Sequence, residues 1–168
     1  METLKFETLK DLKSAGFKGF VKVGELKKDL SAVPSVMGVY MILCDSSQKP
    51  EFLVKGTGGF FKEKDPNVSV ADLKRKWVDG TCVLYIGKAG GSRSGATLRK
   101  RLSQYMNFGS GKAVGHYGGR FIWQLKDHDD LIVCWKTLSD KEPEEYESFL
   151  INSFRDIYGD RPFANLAK

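Results

Sequence analysis

A chain of 168 residues lies near the modal size of a single domain, and a globule of that size buries about 70% of the surface its unfolded form exposes. Hydrophobic residues make up 41% and charged residues 29%, a balance too apolar for intrinsic disorder and too polar for a bilayer resident. The longest apolar run, residues 39–44, is six residues long, against the ~20 of a membrane helix. The first fifteen residues scatter charges without the apolar stretch of a secretory signal, so a cytoplasmic chain with no membrane partner is expected.

Three cysteines, Cys44, Cys82 and Cys134, lie far apart with no Cys-x-x-Cys pair. An odd count cannot pair fully within one chain, which argues against a disulfide scaffold or zinc finger and for small core hydrophobes. Net charge is +6 and unevenly spread. Residues 80–126 contain no Asp or Glu but eight basic side chains, whereas the other 121 residues carry −2. Ten of the eighteen glycines fall between Gly80 and Gly119, and Tyr85, Tyr105 and Tyr117 are interleaved with the charges. Such a basic, glycine-rich centre suits a polyanion.

In chain order, Phe6, Leu9 and Leu12 predict a short helix over 5–15 that stops at Gly16, and a second short helix is expected over 25–30. Residues 38–44 form a continuous apolar run, which reads as a buried strand. A turn at 45–50 and a strand at 51–55 follow. Residues 56–79 are less regular, with a helix around 70–77. Residues 83–86 read as another buried strand, followed by a glycine-rich loop over 87–95. That loop lacks the Gly-Lys-Ser/Thr ending of a nucleotide P-loop. Thr97 caps a helix in which Leu98, Leu102, Tyr105 and Met106 share one face, with Arg101 on its edge beside Tyr105. Residues 121–125 and 131–138 read as a hairpin. A last helix begins at a Ser139-x-x-Glu142 capping box and ends at Gly159. On its wheel Glu147 falls inside the apolar arc. A carboxylate there requires either a basic partner or a metal, and the wheel favours neither.

Taken together, Gly38-Val39-Tyr40, Tyr85-Ile86-Gly87-Lys88-Ala89, the run from Leu98 to Tyr105 around Arg101, Glu147-Ser148-Phe149-Leu150-Ile151 and Pro162-Phe163-Ala164-Asn165 resemble the motifs of the GIY-YIG nuclease family, in the family's order, across about residues 38–166. The resemblance implies one α+β domain over 1–168, with a small, mainly antiparallel central sheet flanked by helices. It would carry a helical lead-in over 1–37 and an insertion over 45–81 between the two tyrosine motifs, where the family normally has a short hairpin. It further implies a metal-dependent endonuclease hydrolysing phosphodiester bonds in DNA, with RNA left open. The cofactor would be one divalent metal, Mg²⁺ or else Mn²⁺. Carried over by motif position, the catalytic residues are Tyr40, Tyr85, Lys88, Arg101, Tyr105, Glu147 and Asn165, with Glu147 as metal ligand.

The chemistry suits those residue types. A water nucleophile must lose its proton while negative charge grows on the phosphate, which calls for a base, a cation and a metal in one place. Tyrosine ionises near pH 10 unperturbed, and Lys88, Arg101 and a bound cation would favour its phenolate. Arg101 can grip a phosphate oxygen pair, and magnesium sites commonly use one or two carboxylates with waters. Lys88, Arg93, Arg99, Arg101, Lys112 and Arg120 are the expected nucleic-acid contacts. His116 reads either as an auxiliary proton shuttle or, as is commoner for a lone loop histidine, as simply exposed, and it stands outside the catalytic set. Two rivals share the composition: a nucleic-acid-binding module of the same fold without catalysis, and a basic protein-interaction domain.

Overall fold

The computed structural model describes residues 4–44 and 49–166, with the Tyr117 side chain outside the described part. Strands β1 (Lys18–Lys22), β2 (Gly38–Leu43), β3 (Val83–Ala89) and β4 (Ile132–Thr137) form one antiparallel sheet in the order β1-β4-β2-β3. Helices α1 (Leu9–Ser14), α2 (Val23–Leu26), α3 (Val70–Lys76), α4 (Leu98–Gly109) and α5 (Pro143–Tyr158) surround it, which makes the architecture α+β. Among the described residues, no helix is long and apolar enough to cross a membrane.

Every residue of β2 is buried, which explains its unbroken apolar run: a central strand covered on both faces has no solvent side to alternate with. Tyr40, Ile42, Val133 and Trp135 join a core with α4, whereas Val39, Met41, Leu43 and Cys134 join a second core with α1 and α5. Thr97 accepts the Lys100 N–H and starts α4 as the sequence predicts. Gly159, in the left-handed region at φ 79°, ends α5. Helix α3 lies where expected and buries Leu73. Cys82 and Cys134 are buried and Cys44 half-buried, and none of the three forms a disulfide.

Several expectations need correction. The lead-in is not purely helical, because β1 pairs with β4 along the far edge of the sheet. This strand has few apolar residues and a register shift between Gly19 and Val21, with Phe20 at φ 61°, so neither alternation nor an apolar run marks it. Residues 51–55 form no strand beyond one bridge from Phe52 to Leu125, and most of the turn expected at 45–50 lies outside the described residues. The hairpin is also absent: Tyr117–Gln124 is a 3-10 segment. There Phe121, Ile122 and Trp123 are all buried, and the carbonyls of Trp123 and Gln124 accept from the backbone N–H groups of Thr57 and Leu53. The expected capping box does not form either. Pro143 holds Glu142 in an extended conformation at φ −70°, ψ 127°, so Glu142 is the N-cap and α5 starts at Pro143, three residues later than the box would place it. The Glu142 carboxylate instead accepts the Ser92 N–H at 3.1 Å, tying the 90–96 loop to the head of α5. Finally, β3 runs on through Ala89, so the glycine-rich loop begins at Gly90.

Candidate active site at the edge of strand β3

Strand β3 lies at one edge of the sheet, and the C-terminal tail covers that edge. The Ala164 N–H donates to Leu84. Asn165 then uses both ends of its amide on Ile86: Oδ1 accepts the Ile86 N–H and Nδ2 donates to the Ile86 carbonyl, each at 2.9 Å. The side chain thus satisfies both backbone groups of an edge residue, as a paired strand would.

Next to this edge, Tyr40, Tyr85, Lys88, Arg101 and Glu147 line one cleft of about 410 Å³, together with Gln104, Gly90, Ser94 and Ala96. They come from four elements: Tyr40 from β2, Tyr85 and Lys88 from β3, Arg101 from α4 and Glu147 from α5. Tyr40 pairs with Gly87 in the ladder. A Cβ at Gly87 would clash with the Tyr40 ring and hydroxyl, so the glycine lets the ring lie across the β3 backbone beside Tyr85. Glu147 is only 8% exposed, so the acid inside the apolar arc is buried at the cleft rather than solvated.

The two tyrosines of the cleft wall belong to a layer of aromatic rings. Tyr40 is fully buried and Tyr85 8% exposed, with ring centroids 6.0 Å apart. Tyr105 is fully buried behind them and donates its hydroxyl proton to the Gly119 carbonyl at 2.7 Å. It does not line the cleft but stacks on His116, with centroids 4.0 Å apart and planes 18° apart. His116 is 1% exposed, not exposed as expected, and its Nε2 lies 3.0 Å from the Tyr40 hydroxyl. No local sequence signal marks that contact, because 76 positions separate the two residues.

Burial dominates the electrostatics. It raises the Tyr40 phenol well above its usual value and the Tyr85 phenol to about 12. The Arg101 cation opposes both shifts and the Glu147 anion reinforces them. The neighbouring Tyr85 phenol raises that of Tyr40 further. Burial, seconded by Arg101, pushes His116 down to about 3, so its imidazole is neutral at physiological pH.

Asn165 and the remaining basic residues expected at nucleic acid lie outside the cleft lining. The Arg99 guanidinium donates to the Val33 and Ser31 carbonyls, at 2.8 and 3.2 Å, and ties α4 to the turn before β2. Arg120 packs over the Phe121 ring at 5.4 Å, Lys112 reaches Asn107 and Arg93 is exposed in the 90–96 loop. Arg101 itself is held by Gln104 at 3.1 Å and the Gly115 carbonyl at 3.4 Å.

Among the described residues, no group of three or more His, Cys, Asp or Glu side chains comes together. The cleft instead offers one buried carboxylate and phenol oxygens, all hard donors, a set that fits a magnesium ion completed by waters and substrate phosphate. Size alone does not single out this cleft. A hollow of about 580 Å³ lies between the N-terminal segment and α5, and another of about 400 Å³ lies near Cys44 and Trp77. Both contain lysines and carboxylates, but neither lining holds an arginine or a pair of tyrosines. Comparison with known proteins gives no match to a family model, to a curated protein or to a solved structure.

Proposed function

We propose that the chain is a metal-dependent endonuclease of the GIY-YIG type, hydrolysing phosphodiester bonds in DNA. The observation that carries this reading is the convergence of Tyr40, Tyr85, Lys88, Arg101 and Glu147, drawn from four elements, on one cleft. Each supplies a part that phosphodiester hydrolysis requires.

Lys88 and Arg101 bind the scissile phosphate, Arg101 with a guanidinium already aimed by Gln104 and Gly115. Glu147 would hold a magnesium ion, which supplies positive charge beside the phosphate and the phenols. Tyr85 is the base: its phenolate oxygen takes a proton from the attacking water as the water oxygen bonds to phosphorus. The leaving oxygen departs with the electron pair of the broken P–O bond and is protonated from solvent. With its phenol raised to about 12, Tyr85 is ionised in roughly one molecule in 10⁵ at neutral pH. The reading therefore needs positive charge at the cleft, and Arg101 already lowers that barrier. Glu147, which opposes the phenolate when bare, is also the residue that brings the cation to it.

Incubation with labelled linear, nicked, flapped and four-way DNA, with and without Mg²⁺ or Mn²⁺, tests the reading. Metal-dependent cleavage of at least one substrate is expected. Salt-sensitive binding without cleavage would favour a binding module of the same fold, and no binding would favour a protein-interaction domain.

A further inference from the structure

We infer that the turn at Phe60–Lys64 in the insertion is a second nucleic-acid contact, one that takes an unpaired base: the Phe60 ring stacks on a base that has left the duplex, while Lys62 and Lys112 hold neighbouring phosphates. The choice of nucleic acid as the partner rests on the nuclease reading, but the contact itself lies outside the catalytic cleft.

The segment leading into the turn is pinned to the end of α4. Thr57 donates its N–H to the Trp123 carbonyl, and Gly59 donates to the Phe108 carbonyl at 2.8 Å. Gly59 also lies against the Lys112 carbonyl, where a Cβ would have no room, so the close approach requires glycine. The chain then reverses over Phe61–Lys64, closed by a bridge between those two residues and by the Lys64 N–H on the Phe61 carbonyl at 3.1 Å. Both central residues, Lys62 and Glu63, hold left-handed backbone, at φ 54° and 62°. Asn-Gly is the usual occupant of such a turn. A Lys-Glu pair held there is strained, and strain of this kind gathers at binding and switch segments.

The turn presents an aromatic ring among cations. Phe60 is 48% exposed, and Lys62 and Lys112 are exposed beside it in the chain and across the Gly59 contact. Residues 55–65 carry three lysines against Glu63 and Asp65, and Lys112 adds a fourth. The turn also borders the cleft. A Cβ at Gly115 would lie 3.6 Å from the Phe61 ring, and the Gly115 carbonyl accepts from Arg101 at 3.4 Å. One residue thus stands between the turn and the arginine proposed to hold the scissile phosphate, so a strand leaving Arg101 has this turn as its neighbour. Lysines attract its phosphates whatever the sequence. A base inside a duplex has both faces covered by its stacked neighbours, so the Phe60 ring can add stacking energy only to a base that is unpaired or splayed. The reading therefore assigns this site substrates with a single-stranded arm or a flap.

Fluorescence anisotropy on the full chain, without metal so that no strand is cut, tests the inference with labelled oligothymidylate, a flapped duplex and a fully paired linear duplex. Phe60→Ala should weaken binding of the first two by about fivefold to a hundredfold and leave the paired duplex nearly unchanged, whereas Phe60→Trp should keep wild-type affinity. Phe149→Ala, which removes a ring 55% exposed by the hollow at the N-terminal segment, should match the wild type on all three. Lys62→Gln should flatten the dependence of log affinity for oligothymidylate on log salt by about 0.7. In the wild type, photo-cross-linking to 5-iodouracil-substituted oligothymidylate should attach at Phe60. Unchanged binding of oligothymidylate and flapped DNA by Phe60→Ala, equal losses on paired and unpaired DNA, or cross-links only elsewhere would each overturn the inference, even where the wild type cleaves DNA. A wild type that binds as expected but cuts no DNA with Mg²⁺ or Mn²⁺ would overturn the nuclease reading alone, and one that binds none of the three would overturn both.

Discussion

The face of the sheet that packs on α1 and α5 buries Phe6, Leu12, Phe17, Val39, Met41, Leu150, Ile151 and Phe154, and Phe6 meets Phe154 edge-on at 5.5 Å. The α4 face buries more rings, but Tyr40, Tyr85, Tyr105 and His116 bring hydroxyls and an imidazole with them. Burying polar groups costs stability unless each finds a partner, and one of these, His116 Nδ1, has none among the described residues. One face is therefore built for cohesion, whereas the other sacrifices some cohesion to hold ionisable groups against a cleft.

The contrast predicts different failures on the two sides. On the apolar side, Phe154→Ala should lower stability by about 3–5 kcal/mol, read by denaturant unfolding, while any surviving folded fraction keeps its cleavage rate per molecule. On the polar side, Tyr85→Phe removes one oxygen and no ring. It should change DNA affinity little and slow single-turnover cleavage by about 10²- to 10⁴-fold. Near-normal cleavage by that variant would move the base away from Tyr85.

A smaller effect separates the faces by pH. His116 titrates near 6.5 in an unfolded chain but near 3 in the fold. Below pH 6.5 the unfolded state therefore binds a proton that the folded state refuses, and stability falls as pH drops from there toward about 3. The slope from this one group is at most about 1.4 kcal/mol per pH unit. His116→Phe should lose that share of the acid sensitivity, whereas Phe154→Ala should shift the whole stability curve and leave its slope unchanged. Urea midpoints between pH 4 and 7 measure both.

The smallest predicted effect concerns the edge between the faces. Asn165→Asp keeps the acceptor for the Ile86 N–H but sets a carboxylate oxygen against the Ile86 carbonyl. A loss of about 1–3 kcal/mol is expected, with cleavage lowered less than by Tyr85→Phe. A variant as inactive as Tyr85→Phe, with its melting temperature unchanged, would instead assign Asn165 a direct part in the chemistry.

The elements that position the cleft were legible in the sequence because their signals are local. The run 38–44 is apolar throughout, Thr97 marks a helix start, and Gly159 marks a stop. Glu147 was visible as an acid on an apolar arc, although the wheel could not say what it meets. Strand β1 was not legible, since an edge strand with a bulge at Gly19–Val21 shows neither alternation nor a run. Residues 121–125 look like a strand because three large apolar residues in a row are buried either way, and only their distant carbonyl partners, Leu53 and Thr57, decide for a 3-10 turn. The place of His116 depends on Tyr40 and Tyr105, contacts made by the fold and not by sequence neighbours.

The central claim is that Glu147 and the two tyrosines form one metal-dependent site, and Glu147→Gln tests it most directly. The substitution keeps the size of the side chain and removes its charge. Calorimetric titration with Mg²⁺ and Mn²⁺, set beside cleavage and a thermal melt, should show metal affinity and cleavage collapsing while DNA binding persists or strengthens. Unchanged metal affinity and cleavage with a clearly lowered melting temperature would make Glu147 a structural acid and contradict the account.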